Sequence, residues 1–288
     1  LRGMSPDQML VLVNGRRRHT SAIVNTETKI GRGTAAVDFN NLPLNALQRV
    51  EVLRDGAGAL YGSDAIAGVI NLVLDDSLGF ESNIAYGQHW TDLKPIGDDI
   101  NDGETFTLDA KYGWQLADDG FAIAGAAYRN RNGTNRAGFD QIPFFIDQTP
   151  ANLALAGQRN YAEGDPEVEE FNFWFNGEIP LGELELYAFG TLGNRDSNGG
   201  GAFFRYPDGT DNVPAIYPDG FRPGTYGKDR DYAGTVGLRA LAAGWEVDTA
   251  LSYGRNEFEF GVENSLNASL GPTSPTSFKS GTYTVQQT

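Results

Sequence analysis

Beyond about residue 80, apolar and polar residues take turns along repeated segments of roughly ten residues, and little else accommodates that pattern but strands. Between 104 and 115, Phe106, Leu108, Ala110, Tyr112 and Trp114 fall on one face, while Thr105, Thr107, Asp109, Lys111 and Gln115 fall on the other. A period of two belongs to a strand, whose successive side chains point to opposite sides. Between 171 and 179, Phe171, Phe173, Phe175 and Ile179 oppose Asn172, Asn176 and Glu178, and Trp174 interrupts the polar row. Between 245 and 253, Trp245, Val247, Thr249, Leu251 and Tyr253 oppose Glu246, Asp248 and Ser252. The phase shifts near Gly254, which predicts a bulge there. One face suits lipid and the other a wet lumen, and a tilted strand crosses a bilayer in about 9–11 residues.

Connection lengths alternate as well. Short ones fall near 117–120, 180–183 and 242–244, and long ones near 93–103, 130–169, 194–230 and 264–278. Outer-membrane barrels have short periplasmic turns and longer external loops, so every second connection is expected to face outward. A soluble sandwich has no reason to gather loops of several dozen residues at one end. The expected fold is therefore a membrane β-barrel, in part, of antiparallel up-and-down strands. No run of about 18 apolar residues predicts a spanning helix, and alternating strands need none. The mean hydropathy of −0.37 is compatible with that.

Charge separates two modules. Residues 1–76 hold eight basic and eight acidic side chains, so the whole net charge of −16 falls on residues 77–288. Such acidity argues against a nucleic-acid partner, which needs a basic face. The chain has no cysteine, so thiolate and disulfide chemistry do not arise.

Residues 1–76 read as a small mixed α/β domain, followed by barrel strands and loops over 77–288. Residues 10–13 form an apolar strand that ends in the turn pair Asn14-Gly15. Asn41, Leu42 and Pro43 are expected to open a short helix through Gln48, with Asn41 as its cap. A strand with Val50, Val52 and Leu53, turns at Gly56, Gly58 and Gly62, and a strand over 69–74 complete the domain. The glycines invite a nucleotide-binding reading, but the third comes one residue late for G-x-G-x-x-G and no βαβ unit follows. His19 and His89 lack companion ligands. Asp98, Asp102 and Asp109 have calcium-loop spacing, but Ile100 stands where an oxygen is required, so a solvated loop is expected. With no recognisable serine, histidine and acid set, neither an enzyme nor a cofactor or metal is predicted.

The stretch from Arg49 to Asn71, RVEVLRDGAGALYGSDAIAGVIN, resembles the hallmark of the plug domain of TonB-dependent outer-membrane receptors. LRG at 1–3, LVLVNGR at 10–16 and AVDFNNLP at 36–43 occur in the family's order. The resemblance implies a plug inside a barrel of about 22 strands. It implies a bacterial cell outer-membrane location, amid outer-membrane lipid and lipopolysaccharide, and energy from a TonB-type inner-membrane complex. It further implies uptake of a scarce small molecule, such as an iron–siderophore complex, cobalamin or an oligosaccharide. On this reading Leu1 falls inside a plug motif and Thr288 inside a strand, so the sequence reads as part of a longer chain with its partner-binding box upstream.

Site roles come from the same resemblance. Arg49, Glu51 and Arg54 are expected to pair with acids of the barrel wall and lock the plug; the plainer alternative is an exposed strand face. Arg2, Arg18 and His19 align with apex positions that contact substrate in siderophore receptors. The residues themselves point to 194–230 as a substrate entrance, since Phe203, Phe204, Tyr206, Tyr217, Phe221 and Tyr226 with Arg205 and Arg222 suit stacking on an organic ligand. Packing of the loop itself is the competing reading. At the level of function, a passive porin or adhesion barrel and a soluble β-rich binding module are the alternatives.

Overall fold

A computed structural model describes residues 3–26, 31–54, 57–116, 118–200 and 203–288. Two sheets organise them. The first has four strands in the order β2-β1-β4-β3, with β1 at Met9–Val13, β2 at Arg16–Arg17, β3 at Leu47–Leu53 and β4 at Gly68–Leu74. β1 lies parallel to β4 from Met9 beside Gly68 to Val13 beside Leu72. Its residues 10–13 are buried on both faces, as a continuous apolar run in a parallel pair requires. Asn14 and Gly15 turn β1 into β2 at φ 47° and 77°, the left-handed pair that a two-residue hairpin demands. The Asn14 side chain also accepts the Leu74 amide at 2.8 Å and so fixes the end of β4. A short helix, α1 (Ala57–Tyr61), connects β3 towards β4.

The helix expected over 41–48 does not form. Two 3-10 turns replace it, at Phe39–Asn41 and Leu44–Ala46, and β3 has begun by Leu47. Pro43 disfavours helical backbone in the residue before it, and Leu42 is extended at φ −128°, ψ 106°. The first turn is capped by Asp38, which accepts the Asn40 amide. Asn41 is not a cap; it is buried and turned towards the second sheet.

The second sheet is an eight-stranded antiparallel meander in strict chain order. It comprises β5 (Gly79–Leu93), β6 (Asp98–Leu116), β7 (Gly120–Arg131), β8 (Glu167–Leu181), β9 (Leu184–Gly200), β10 (Gly224–Ala242), β11 (Trp245–Glu263) and β12 (Phe278–Gln287). It is an open sheet with β5 and β12 at its edges. Phe80, Ile84, Leu108, Tyr112, Trp114, Phe171, Phe175, Leu192, Val236 and Leu251 are exposed on its outer face, as a lipid-facing belt requires.

Connections at one end are 117–119, 182–183 and 243–244; those at the other are 94–97, 132–166, 201–223 and 264–277. Two expected loops are shorter than predicted. The segment near 93–103 is a four-residue turn, and Asp98 and Asp102 lie in β6 rather than in a loop. Residues 194–200 and 224–230 are paired strand, leaving a loop of 201–223. The reason is physical: outer side chains here, Asp196, Asn198, Lys228 and Arg230, are polar, so the alternation that marks a lipid-facing strand vanishes while its backbone pairing continues. The bulge expected at Gly254 is absent too. Pairing of β10 with β11 runs unbroken through it, and the irregularity lies between Phe260 and Gly261 against β12.

The two sheets share one core. Val11, Val13, Leu72 and Leu74 of the first, with Leu42 and Ala46 of the 3-10 turns, pack with Ile123, Trp174, Tyr187 and Phe189 of the second. Trp174 is 0% exposed, so the residue that interrupts the polar row of β8 is the one the small domain covers. Each such side chain contributes on the order of 1.5–3 kcal/mol when fully buried.

Candidate functional site: the seam between the small domain and the wall

Inward residues of neighbouring strands fall into rows across the wall. One row runs Trp174, Thr191, Ala233, Gly254; the next Asn172, Gly193, Asp231, Asn256; and above it Glu170, Arg195, Asp229. The segment after β2 lies across these rows. Arg18 donates to Thr191 Oγ1 at 2.8 Å and pairs with Asp231, and both side chains are at most 4% exposed. His19 Nε2 meets the other oxygen of Asp231 at 2.8 Å. Its ring lies on Gly254, where a Cβ would come within 2.2 Å of Nδ1; the glycine is required by this close approach. Asn256 binds three partners, accepting from the Ala22 amide at 2.6 Å and donating to Asp229 and Asp231 at 2.9 and 3.1 Å.

The 3-10 turns dock beside it. Asp38 pairs with Arg195, which is also 3.6 Å from Asp229, and Asn41 donates to Asp229 at 3.0 Å. Trp174 Nε1 donates to Asn45 Oδ1 at 3.1 Å. Towards the short-turn end, Lys111 pairs with Asp75 at 2.7 Å, Asn14 donates to Asn176 at 3.2 Å, and Asn176 donates to the Asp75 carbonyl at 3.0 Å. Arg16 pairs with Asp248 and donates to Tyr187 Oη at 2.5 Å.

Burial sets the electrostatics. It pushes the Arg18 guanidinium below its ordinary value, against the attraction of Asp231, Asp38 and Asp229. It would likewise raise the Asp38 carboxyl, but the Arg195 guanidinium bonded to it holds it below the usual carboxylate range. Asp75 obeys the same logic, burial being overcome by Lys111 and Ser77. Charges buried this deeply persist only when paired and hydrogen-bonded, and losing one partner is far costlier than losing a surface pair. The arrangement is an apolar centre framed by ionic contacts that fix one seating of the small domain on the wall.

Sequence-predicted residues are redistributed. Arg18 and His19 stand in the seam, buried and paired with Asp231. Arg49 and Glu51 pair with each other at 2.8 Å on the exposed face of β3, and Asn71 donates to Glu51 at 2.9 Å. Arg54 is exposed as well. Among the described residues, ionic contacts to the wall are made by Arg16, Arg18, His19, Asp38 and Asp75. Arg2 lies outside the described residues.

The outer loops are built from their own aromatics. Tyr206 is buried, its hydroxyl 2.8 and 2.9 Å from the Asp140 carboxylate and 2.8 Å from the Tyr161 hydroxyl. Burial, reinforced by Tyr161 and Asp140, pushes that hydroxyl well up. Tyr206 packs with Ile142 and Leu155, with Phe204 against them, so loops 132–166 and 201–223 share a core. Thr149, which caps the short helix α2 (Pro150–Leu153), bonds Asp208 at 2.7 Å. Tyr217 stacks on Phe221 with ring centroids 4.4 Å apart, and Arg205 pairs with Asp211 at 3.0 Å. Phe204, Tyr206 and Tyr217 thus pack within the loops. Arg222 differs: with Arg159, Asp165, Glu167 and Glu263 it lines a cavity of about 650 Å³ at the long-loop end. Phe203 remains 70% exposed.

Residues 1–69 match the family model of the TonB-dependent Receptor Plug Domain. The vitamin B12 transporter BtuB of Vibrio vulnificus is 38% identical over 84 residues, 29% of this chain and 12% of that protein. BtuB of Vibrio cholerae is 44% identical over 73 residues, 25% of this chain and 10% of that protein. The chain therefore matches a small part of the length of these relatives. Among solved structures, a mutant of the ferric enterobactin receptor PfeA from Pseudomonas aeruginosa, in complex with enterobactin, superposes with a TM-score of 0.60. At 17% identity this is a likeness of fold, and it covers 99% of this chain and 38% of that one.

Proposed function

We propose, from the premise that this chain carries the plug and adjoining barrel strands of a TonB-dependent outer-membrane receptor, that the whole protein is an energy-coupled uptake receptor. It binds a scarce solute outside the cell, an iron–siderophore complex, cobalamin or an oligosaccharide being the classes in view, and admits it when a TonB-type inner-membrane complex displaces the plug. No bond of the cargo is made or broken. Outer-membrane lipid covers the apolar belt, and lipopolysaccharide meets the polar strand ends above it.

The observation that carries this reading is the seam. Arg18–Asp231, Arg195–Asp38 and Arg16–Asp248 join the small domain to the wall; in a closed barrel such a seam would hold the passage shut at rest, so that opening it needs work on the plug rather than diffusion of the cargo. A passive porin has no use for such a seal. The test is uptake of radiolabelled candidate solutes by cells carrying the full-length receptor, with and without the inner-membrane partner. Uptake is expected to vanish with the partner; uptake that persists unchanged returns the protein to the passive class.

A further inference from the structure

The inner face of β11 changes character towards its long-loop end. Ser252, Gly254 and Asn256 present small or polar groups inward, and the next two inward residues are Phe258 and Phe260. Their outward neighbours are Glu257 and Glu259, paired with Arg255 and Lys279 at 2.7 and 2.5 Å. Beyond the lipid belt both faces of the wall meet water, so apolar rings gathered on the inner one call for something to cover them. The two rings are half-buried and stack at 29° with centroids 6.4 Å apart, and among the described residues neither joins an apolar core.

They border a cleft of about 480 Å³. Register places Ser197, Gly227 and Phe260 in one inward row and Gly199, Thr225 and Val262 in the next. Phe258 leans along its strand over Gly227, where a Cβ would come within 2.9 Å of the ring, and Gly199 adds no side chain to the space. The facing side is the end of loop 132–166. It is held by Thr134, whose amide donates to the Asp165 carbonyl at 3.0 Å and whose hydroxyl accepts the Asp165 amide at 2.8 Å, and it brings Glu163 and Asp165 to the lining.

The polar lining accepts hydrogen bonds more readily than it donates them. Ser197 and Thr225 direct their hydroxyl protons to the Gly227 and Gly199 carbonyls, each at 3.2 Å, which leaves their oxygens as acceptors beside the two carboxylates. No lysine or arginine lines the cleft among the described residues. An anionic cargo such as a ferric catecholate would face carboxylates without a counter-ion, whereas a cargo rich in O–H groups finds an acceptor at each turn. An organic cation satisfies carboxylates too, but is held best by rings that surround it; these two form a strip along one strand. A strip suits rings laid on it in succession, and a pyranose has an apolar C–H face with hydroxyls around its edge. Resting on the uptake reading above, we propose that this cleft binds the cargo and that the cargo is a neutral oligosaccharide, its sugar faces on Phe258 and Phe260 and its hydroxyls donating to Glu163 and Asp165.

The test is calorimetry on detergent-purified full-length receptor without the inner-membrane partner, titrated with maltohexaose, cellohexaose and xylohexaose, and with ferric enterobactin and choline as contrasts. At least one sugar is expected to bind, with affinity falling roughly two- to tenfold in Phe258→Leu and again in Phe260→Leu, because leucine keeps the apolar volume but not the ring face. Phe171→Leu, at an exposed position on the outer face, is expected to leave binding unchanged. No binding by any of the three sugars, sugar binding indifferent to both inner substitutions, or binding of ferric enterobactin or choline that falls with them overturns the proposal. Native crystals soaked with the tightest sugar give an answer that needs no variant to assemble: density on the two rings is expected, and density elsewhere alone refutes the site. Sugar binding together with uptake that ignores the inner-membrane partner would sink energy coupling and leave the cleft standing; partner-dependent uptake of another solute without sugar binding would do the reverse.

Discussion

Replacing Asp231 by asparagine isolates the ionic part of the seal. The substitution keeps size and one acceptor but removes the charge that faces Arg18 and His19. Arg18 would retain its bond to Thr191 at 2.8 Å and lose its counter-ion. Both partners are at most 4% exposed, so solvent screening offers little relief. Breaking one side of a buried pair costs about 3–5 kcal/mol. At about 1.4 kcal/mol per tenfold, the seating equilibrium shifts roughly a hundredfold to a few thousandfold. Full-length receptor in planar bilayers reports this as channel opening during a urea titration, and the midpoint for Asp231→Asn is expected well below that of the native protein. The companion variant, Arg18→Met with Asp231→Leu, removes both charges and is expected to recover much of the shift, because apolar replacement of a whole pair is often neutral or stabilising. An unchanged midpoint in Asp231→Asn, or a double variant worse than the single, refutes the argument that this pair is desolvated and coupled.

The remaining predictions concern acid and the outer loops. Asp38 is held below the ordinary carboxylate range in the folded protein, so its contribution is fully present above the unfolded value of about 3.9 and is lost as pH falls through the lowered folded value; conductance at graded pH should show a seal intact at pH 5 to 7, give way only below about pH 4, and lose that dependence in Arg195→Met. Tyr206→Phe removes the hydroxyl that donates to Asp140 while Asn160 and the Ile142 amide still do. A local cost of about 1–3 kcal/mol is expected, seen as faster amide exchange over 140–158 with β8 unaffected.

The meander is legible because lipid on one side and a lumen on the other impose a period of two, and Phe171, Phe173 and Phe175 display it without help. Trp174 is legible only as an exception, since a sequence does not say what covers a polar-row tryptophan. Strand ends above the membrane are illegible for the complementary reason: Asp196, Asn198, Lys228 and Arg230 face water on the outside, so no hydropathy contrast marks the ladder. The described seam is made by other residues than those the motif singles out. Resemblance draws attention to Arg49, Glu51 and Arg54, whereas the run Arg16, Arg17, Arg18, His19 holds a readable signal, a cationic cluster directly after a buried strand and opposite inward acids at 229 and 231. Pairing Arg18 with Asp231 across more than 200 residues needs the register of every intervening strand, which no local pattern supplies. The loop aromatics stand out in the sequence without revealing their role, because stacking on a neighbour and stacking on a ligand demand the same residues.

The parallel pairing of β1 with β4 has a mechanical consequence. Tension applied to the chain before Met9 runs along the strand axis, and the two strands start at the same end, Met9 beside Gly68. Such a load shears the ladder, so its backbone bonds from Met9 to Val13 share the force and must fail together. An antiparallel hairpin pulled from its open end would instead unzip one bond at a time. This geometry makes β1 a tether that transmits traction into β4 and the whole four-stranded sheet before it yields. A steady pull would therefore reach the seam with Asp231 and Asp229 as a rigid-body displacement, rather than be dissipated by unravelling from the first strand.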